Sequence, residues 1–337
     1  MLFRMLVSRC VRPVENFIID MNYSYEANGL QLSPQTSFQW FQPTLMNPAV
    51  RLPNLFAESL EALTMHSICT PMLWHKFFAT PASPTLLFTN LRSLSLRFNP
   101  EVMEAPRLTH RYQHIAFPAL TKLSLACYNF NIDILLSIFP KHQIQVLEVC
   151  QDWNRFKIDL SLFASLERLT VNDRGYAVRN GVQAQHWFTN SVCSILPFRL
   201  LSHLEVHSLR AYDLPRALAL PCFANLKRLG ISCSHDSTLI PRFLLPDVLY
   251  ARGYVPIHAG IRHVTVRGPV LEGDINRRCV QQLVCIWAGM PGLQFVTLTQ
   301  SFKKHMDYFK FEIKALVQSE SLGRHVQHLN SIYVQFP

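Results

Sequence analysis

Basic residues recur at one place in a repeated hexapeptide: Arg168 in LERLTV, His203 in LSHLEV, Arg228 in LKRLGI and His263 in IRHVTV. Each holds the third position, and Lys227 and Arg262 stand beside two of them at the second. Lys122 holds the third position of an earlier copy, LTKLSL. If the hexapeptides are adjacent strands of one sheet, their third residues stack about 4.8 Å apart. Stacked cations repel, so such a column favours an acidic peptide, a phosphorylated segment or a nucleic-acid backbone laid across it. The competing arrangement is a solvated face neutralised by Glu148, Glu167 and Glu205 of the same sheet, with the histidines uncharged.

Other chemistry is thinly represented. The sequence holds no G-x-S-x-G, phosphate loop, H-E-x-x-H or dinucleotide fingerprint, so the reading is non-enzymatic. Ser301-Phe302-Lys303-Lys304 satisfies S-x-x-K but lacks the S-D-N and K-T-G elements that give that motif meaning. His203 and His207, four apart on an extended strand, stand roughly 13 Å from each other, too far to share a zinc ion. His325 and His328 would fit one helix face, without a third ligand near them in sequence. No metal and no cofactor is expected.

The elements that would position the column are legible from apolar spacing. Ten hexapeptides carry apolar residues at positions 1, 4 and 6, beginning at Leu60, Leu91, Leu120, Ile144, Leu166, Leu201, Leu226, Ile261, Leu293 and Leu329. A fainter eleventh, VENFII, begins at Val14. Positions 4 and 6 share one side of a short strand and predict a buried face, while the largely polar positions 3 and 5 share the other. Phe88, Phe117, Phe163 and Phe223 each stand three residues before a first Leu, an upstream signal that chance matches would not share.

The expected third-position column is Ala62, Ser93, Lys122, Val146, Arg168, His203, Arg228, His263, Phe295 and Ser331. Helical spacing between strands predicts helices over 132–139, 182–196, 275–287 and 308–317, several of them stopped by Pro140, Pro197 or Pro291. Trp287 falls among apolar residues and is expected in the core. Residues 31–53, with four prolines, read as an irregular connection, and 81–88 and 99–118 as surface loops.

Composition bounds the class. Of 337 residues 49% are hydrophobic and 16% charged, enough to bury a large core and far from a disordered chain. Arg4, Arg9 and Arg12 interrupt the apolar N-terminus and argue against a secretory signal. No stretch is long and apolar enough for a membrane helix. Nine scattered cysteines without a CxxC pair fit free thiols in the cytoplasm or nucleus. The net charge of +10 biases the chain toward acidic partners.

With strands starting between 22 and 36 residues apart, L-x-x-L-x-L at each, and little glycine, the chain resembles irregular leucine-rich-repeat proteins. In particular it is similar to the repeat regions of fungal F-box proteins. The resemblance implies an α/β leucine-rich-repeat solenoid: about ten right-handed strand-helix repeats over 54–337, parallel strands on a concave face, and an irregular cap over 1–53 with one weak repeat. Regular members place Asn or Cys three residues beyond the last Leu of the motif, where only Asn99 falls here. Leu6-Val7-Ser8-Arg9 resembles the end of an F-box, without the helices that should precede it. Either those helices lie upstream of Met1 or the chain lacks that activity.

The function so implied is protein-protein recognition, as the substrate receptor of a ubiquitin ligase with a cullin-type core and adaptor. Lys122, Arg168, His203, Lys227, Arg228, Arg262 and His263 would contact a protein substrate or acidic peptide. A scaffold binding anions or nucleic acid through the basic strand face is the alternative, and no membrane partner is expected.

Overall fold

In every hexapeptide the fourth and sixth residues must share one face of an extended strand, and burying that face against an apolar layer is what makes the strand stable. The computed structural model describes residues 16–20, 24–26, 29–31, 60–68, 86–98, 115–127, 136, 139–151, 162–172, 200–207, 218, 223–232, 254, 256–268 and 277–337. Two compact units are present, Met1–Ile158 and Asp159–Pro337. The class is α/β, with parallel sheet dominant and few helices among the described residues.

The first unit contains β1 (Asn16–Asp20), β2 (Ser24–Glu26), β3 (Gly29–Gln31), β4 (Ala62–Ile68), β5 (Leu86–Leu87), β6 (Ser93–Phe98), β7 (Ile115–Ala116), β8 (Lys122–Cys127) and β9 (Val146–Gln151). Its main sheet runs β1-β4-β6-β8-β9, all parallel and in chain order. The faint motif at Val14 is a true strand in the expected register, since Asn16 pairs with Ala62 and Phe17 with Leu63. β2 and β3 form an antiparallel hairpin. The ends of the two segments read as loops instead form a second small sheet, with Leu86 opposite Ile115 and Leu87 opposite Ala116.

That small sheet has a physical reason. It delivers Phe88 and Phe117 side by side, both buried, with ring centroids 5.4 Å apart, and Phe139 extends the stack at 5.5 Å. The turn after Phe117 is closed by a backbone bond from the first Leu, Leu120 N–H to the Phe117 carbonyl. The same turn follows Phe163 and Phe223 in the second unit. The repeated Phe is therefore both a core side chain and the anchor of a chain reversal.

The second unit contains β10 (Arg168–Asn172), β11 (His203–His207), β12 (Arg228–Ser232), β13 (His263–Arg267), α1 (Arg277–Ala288), β14 (Phe295–Leu298), α2 (Met306–Val317) and β15 (Tyr333–Gln335). Its strands run parallel in chain order from β10 to β15. In both units the position-2 carbonyl accepts the N–H groups of positions 2 and 3 of the following strand, at 2.8–3.2 Å. This bifurcated bond recurs from Glu61 to Arg262 and holds successive strands in one register.

All ten first-position residues from Leu60 to Leu329 are buried. So are positions 4 and 6 of every strand from β4 to β14, each large apolar side chain contributing about 1.5–3 kcal/mol of transfer free energy. Both helices described in the second unit match expectation closely. Trp287, fully buried on α1, stacks on Phe309 of α2 at 5.2 Å, and Phe302 meets Phe309 edge-on. The expected helix 182–196 and the connection 32–53 lie outside the described residues, as does most of 132–139. Cys127, Cys150, Cys279 and Cys285 are buried and form no disulfide, and burial pushes the Cys127 thiol well above its usual pKa.

One strand assignment is corrected. The motif at Leu329 places Ser331 at position 3, but Phe295 pairs with Tyr333 and Val296 with Val334. Residues Gln327–Ser331 form a 3-10 turn closed by the Leu329 N–H on the Val326 carbonyl. The turn keeps Leu329 buried and consumes two residues before the strand starts, so the register slips by two.

Candidate functional site

Side chains at positions 3, 5 and 7 project from the face opposite the core, and pairing fixes which of them are neighbours. In the second unit Arg168 lies beside His203, His203 beside Arg228, Arg228 beside His263, His263 beside Phe295 and Phe295 beside Tyr333. Four expected site residues thus form one continuous column, which ends in two aromatics. Phe295 and Tyr333 are 46% and 61% exposed, unusual for large apolar side chains in a folded unit. They meet edge-on at 6.3 Å, and His263 meets Phe295 at 6.4 Å.

The other expected residues fall elsewhere. Lys122 is exposed in the first unit, between Ser93 and Val146 rather than beside a basic residue. Lys227 is exposed next to the column. Arg262 is committed to structure, its guanidinium donating to the Gly292 carbonyl at 3.0 Å. A Cβ on residue 292 would stand 2.4 Å from the Ala259 carbonyl oxygen, so the turn that receives Arg262 requires glycine.

The charge of the column is smaller than its composition suggests. Glu205, at position 5 of β11, is 4% exposed and holds two arginines. Arg168 Nη2 on β10 donates to Glu205 Oε2 at 2.9 Å, and Arg267 Nη1 on β13 pairs with Oε1. Reaching Arg267 means crossing β12, and Gly230 lies directly opposite Glu205 on that strand. A Cβ on residue 230 would stand 2.8 Å from Glu205 Cγ, so the missing side chain is what lets the carboxylate lean across. Of the three acids expected to compensate the column, Glu205 alone reaches its arginines among the described residues.

The histidines are uncharged near neutrality. Burial, reinforced by Arg168 and Arg228 on the flanking strands and opposed by Glu205, brings His203 down to about 4. Burial and then Arg228 lower His263 as well. His263 Nε2 lies 2.8 Å from Thr297 Oγ1, which also accepts from Gln335 Nε2 at 2.7 Å. Arg228 remains: it is exposed and paired with no acid among the described residues.

The sequence reading missed Tyr333, Gly230 and Arg267. A glycine at position 5 of LKRLGI, where most copies carry Ser, Thr or Glu, was the available signal for close approach. Among the remaining candidates, His328 Nε2 lies 3.1 Å from the Trp287 carbonyl in the 3-10 turn, and His325 stacks on Tyr254 at 4.9 Å. They are not partners on one helix. Ser301 bonds Thr299, and both it and Lys304, the lysine of the S-x-x-K match, lie in the 3-10 helix Gln300–His305, where Lys304 is exposed. No helix among the described residues is long and apolar enough to cross a membrane. No protein-family model and no curated protein matches the sequence.

Proposed function

We propose that the chain is a leucine-rich-repeat solenoid that works as a non-enzymatic recognition module, receiving a protein segment on the position-3 face of its second unit. The observation that supports this reading is the column from Arg168 to Tyr333, which joins an unneutralised arginine to two exposed aromatics on a rigid parallel sheet. Arginine and tyrosine are the side chains that most often carry binding energy at interfaces, and strand pairing preorganises them at low entropic cost. The resemblance to fungal F-box repeat regions extends the proposal: the bound protein is a substrate brought to a cullin-type ubiquitin ligase.

Affinity purification of the full chain from nuclease-treated cells, beside a Lys227→Glu/Arg228→Glu variant, tests the reading. Proteins retained by the wild type and lost from the variant support it. Recovery of a cullin and its adaptor with both chains supports the ligase role, and their reproducible absence counts against that role. If all retention instead depends on nucleic acid and falls steeply with salt, the face is a nucleic-acid scaffold and the proposal is wrong.

A further inference from the structure

The column's partner can be described more closely, on the premise that the recognition reading above holds. Glu205 satisfies Arg168 and Arg267 from within, and Arg262 is engaged with Gly292, so these cations are not open to an incoming anion without breaking an existing bond. Arg228 is the column cation left, with His203 and His263 beside it. Beyond His263 the column turns abruptly apolar at Phe295 and Tyr333. Among the described residues the column itself therefore offers one unpaired positive charge, Arg228, and one aromatic seat at a set separation.

That separation is readable in strand spacings. Arg228 and Phe295 are two strands apart, about 9.6 Å, and Tyr333 is one strand further, at about 14 Å. An extended peptide laid along the column advances about 3.3 Å per residue and turns every second side chain to the same side, so the side chain four residues from the one on Arg228 reaches the aromatic seat. A carboxylate matches a single planar guanidinium in charge and in its two oxygens. The flanking histidines, uncharged near neutrality, add no second positive charge within the column.

We propose that this face binds an extended acidic peptide across its strands, seating one Asp or Glu carboxylate on Arg228 and an aromatic or large aliphatic side chain, four residues away, against Phe295 and Tyr333. The peptide crosses the strands instead of adding to the sheet edge, so recognition comes from side chains and not from backbone pairing. His263, held by Thr297, lies between the two anchor points.

The test is selection of a random-peptide phage library on the full chain, followed by titration of the enriched synthetic peptides against wild type, Arg228→Gln and Phe295→Ala/Tyr333→Ala. All three substituted side chains are exposed, so circular dichroism melting is expected to be unchanged and serves as the folding control. The proposal expects enriched peptides with Asp or Glu four residues from a large apolar residue. It also expects each variant to weaken them by about fivefold or more. Replacing the peptide's acid by its amide should reproduce the Arg228→Gln loss and add nothing to it. Enriched peptides that bind all three chains equally, or that prefer phosphoserine to Glu at the acidic position, overturn the proposal while leaving protein recognition standing. Failure of every peptide, together with salt-sensitive retention of single-stranded oligonucleotides, overturns the recognition reading itself.

Discussion

The two units use one core and two different faces. In both, positions 1, 4 and 6 are apolar and buried, the position-2 carbonyl grips the next strand, and a Phe closes the preceding turn. On the opposite face the first unit presents Ala62, Ser93, Lys122 and Val146, mostly small or neutral. The second presents Arg168, His203, Arg228, His263, Phe295 and Tyr333. Positions 1, 4 and 6 therefore carry the fold, and positions 3 and 5 are free to vary. Where it concentrates charge, the second unit also has a device not found among the described residues of the first, Glu205 leaning over Gly230.

The equivalence of the two cores can be broken first, since it has the largest effect. Phe117→Ala and Phe223→Ala each remove a buried ring from an equivalent turn and should cost about 3–5 kcal/mol, read by urea denaturation of the full chain. A large loss from one and a negligible loss from the other would show that the units are not built alike.

The difference between the faces comes next. Arg168→Met or Arg267→Met alone removes one arginine from Glu205, and the double variant removes both from a buried carboxylate. The double should lose about 2–3 kcal/mol, more than the two single losses together. Strict additivity would mean that Glu205 does not couple the two arginines. Gly230→Ala presses a methyl group on Glu205 Cγ and should cost about 1–2 kcal/mol, a loss that Glu205→Ala in the same chain should largely relieve.

A smaller effect follows from pH. In the unfolded chain His203 titrates near its ordinary 6.5, and in the folded chain at about 4. Between those values the unfolded state binds more protons, so stability must fall as pH drops from 6.5 toward 4. His263 is shifted in the same direction and adds to the slope. His203→Gln should flatten the melting-temperature profile across that window, and an unchanged slope would place the titrating group elsewhere. Smallest of all, Lys122→Gln should stay within about 0.5 kcal/mol of wild type and leave binding untouched.

How much of this was legible in the sequence depended on what kind of physics set each feature. Strand positions were readable because period-two burial leaves a pattern in residue type, and even the faint copy at Val14 kept its register. The slip at Tyr333 was not, because Leu329 is buried equally well at the head of a strand or inside a 3-10 turn. The short strands at Leu86 and Ile115 were missed because two-residue strands carry no periodicity. For the candidate site, the order of the four basic rungs followed from register alone. Their actual charge did not, because it depends on burial and on which arginines Glu205 reaches three-dimensionally.

The most direct test of the second unit's face is hydroxyl-radical footprinting of the full chain with and without a partner recovered by affinity purification. Four exposed aromatics report at once: Phe295 and Tyr333 on the column, and Tyr308 and Phe311 on α2. The account predicts that saturating partner protects Phe295 and Tyr333 from oxidation while Tyr308 and Phe311 keep their free rates. Protection of the helix pair with the column pair unchanged would contradict it.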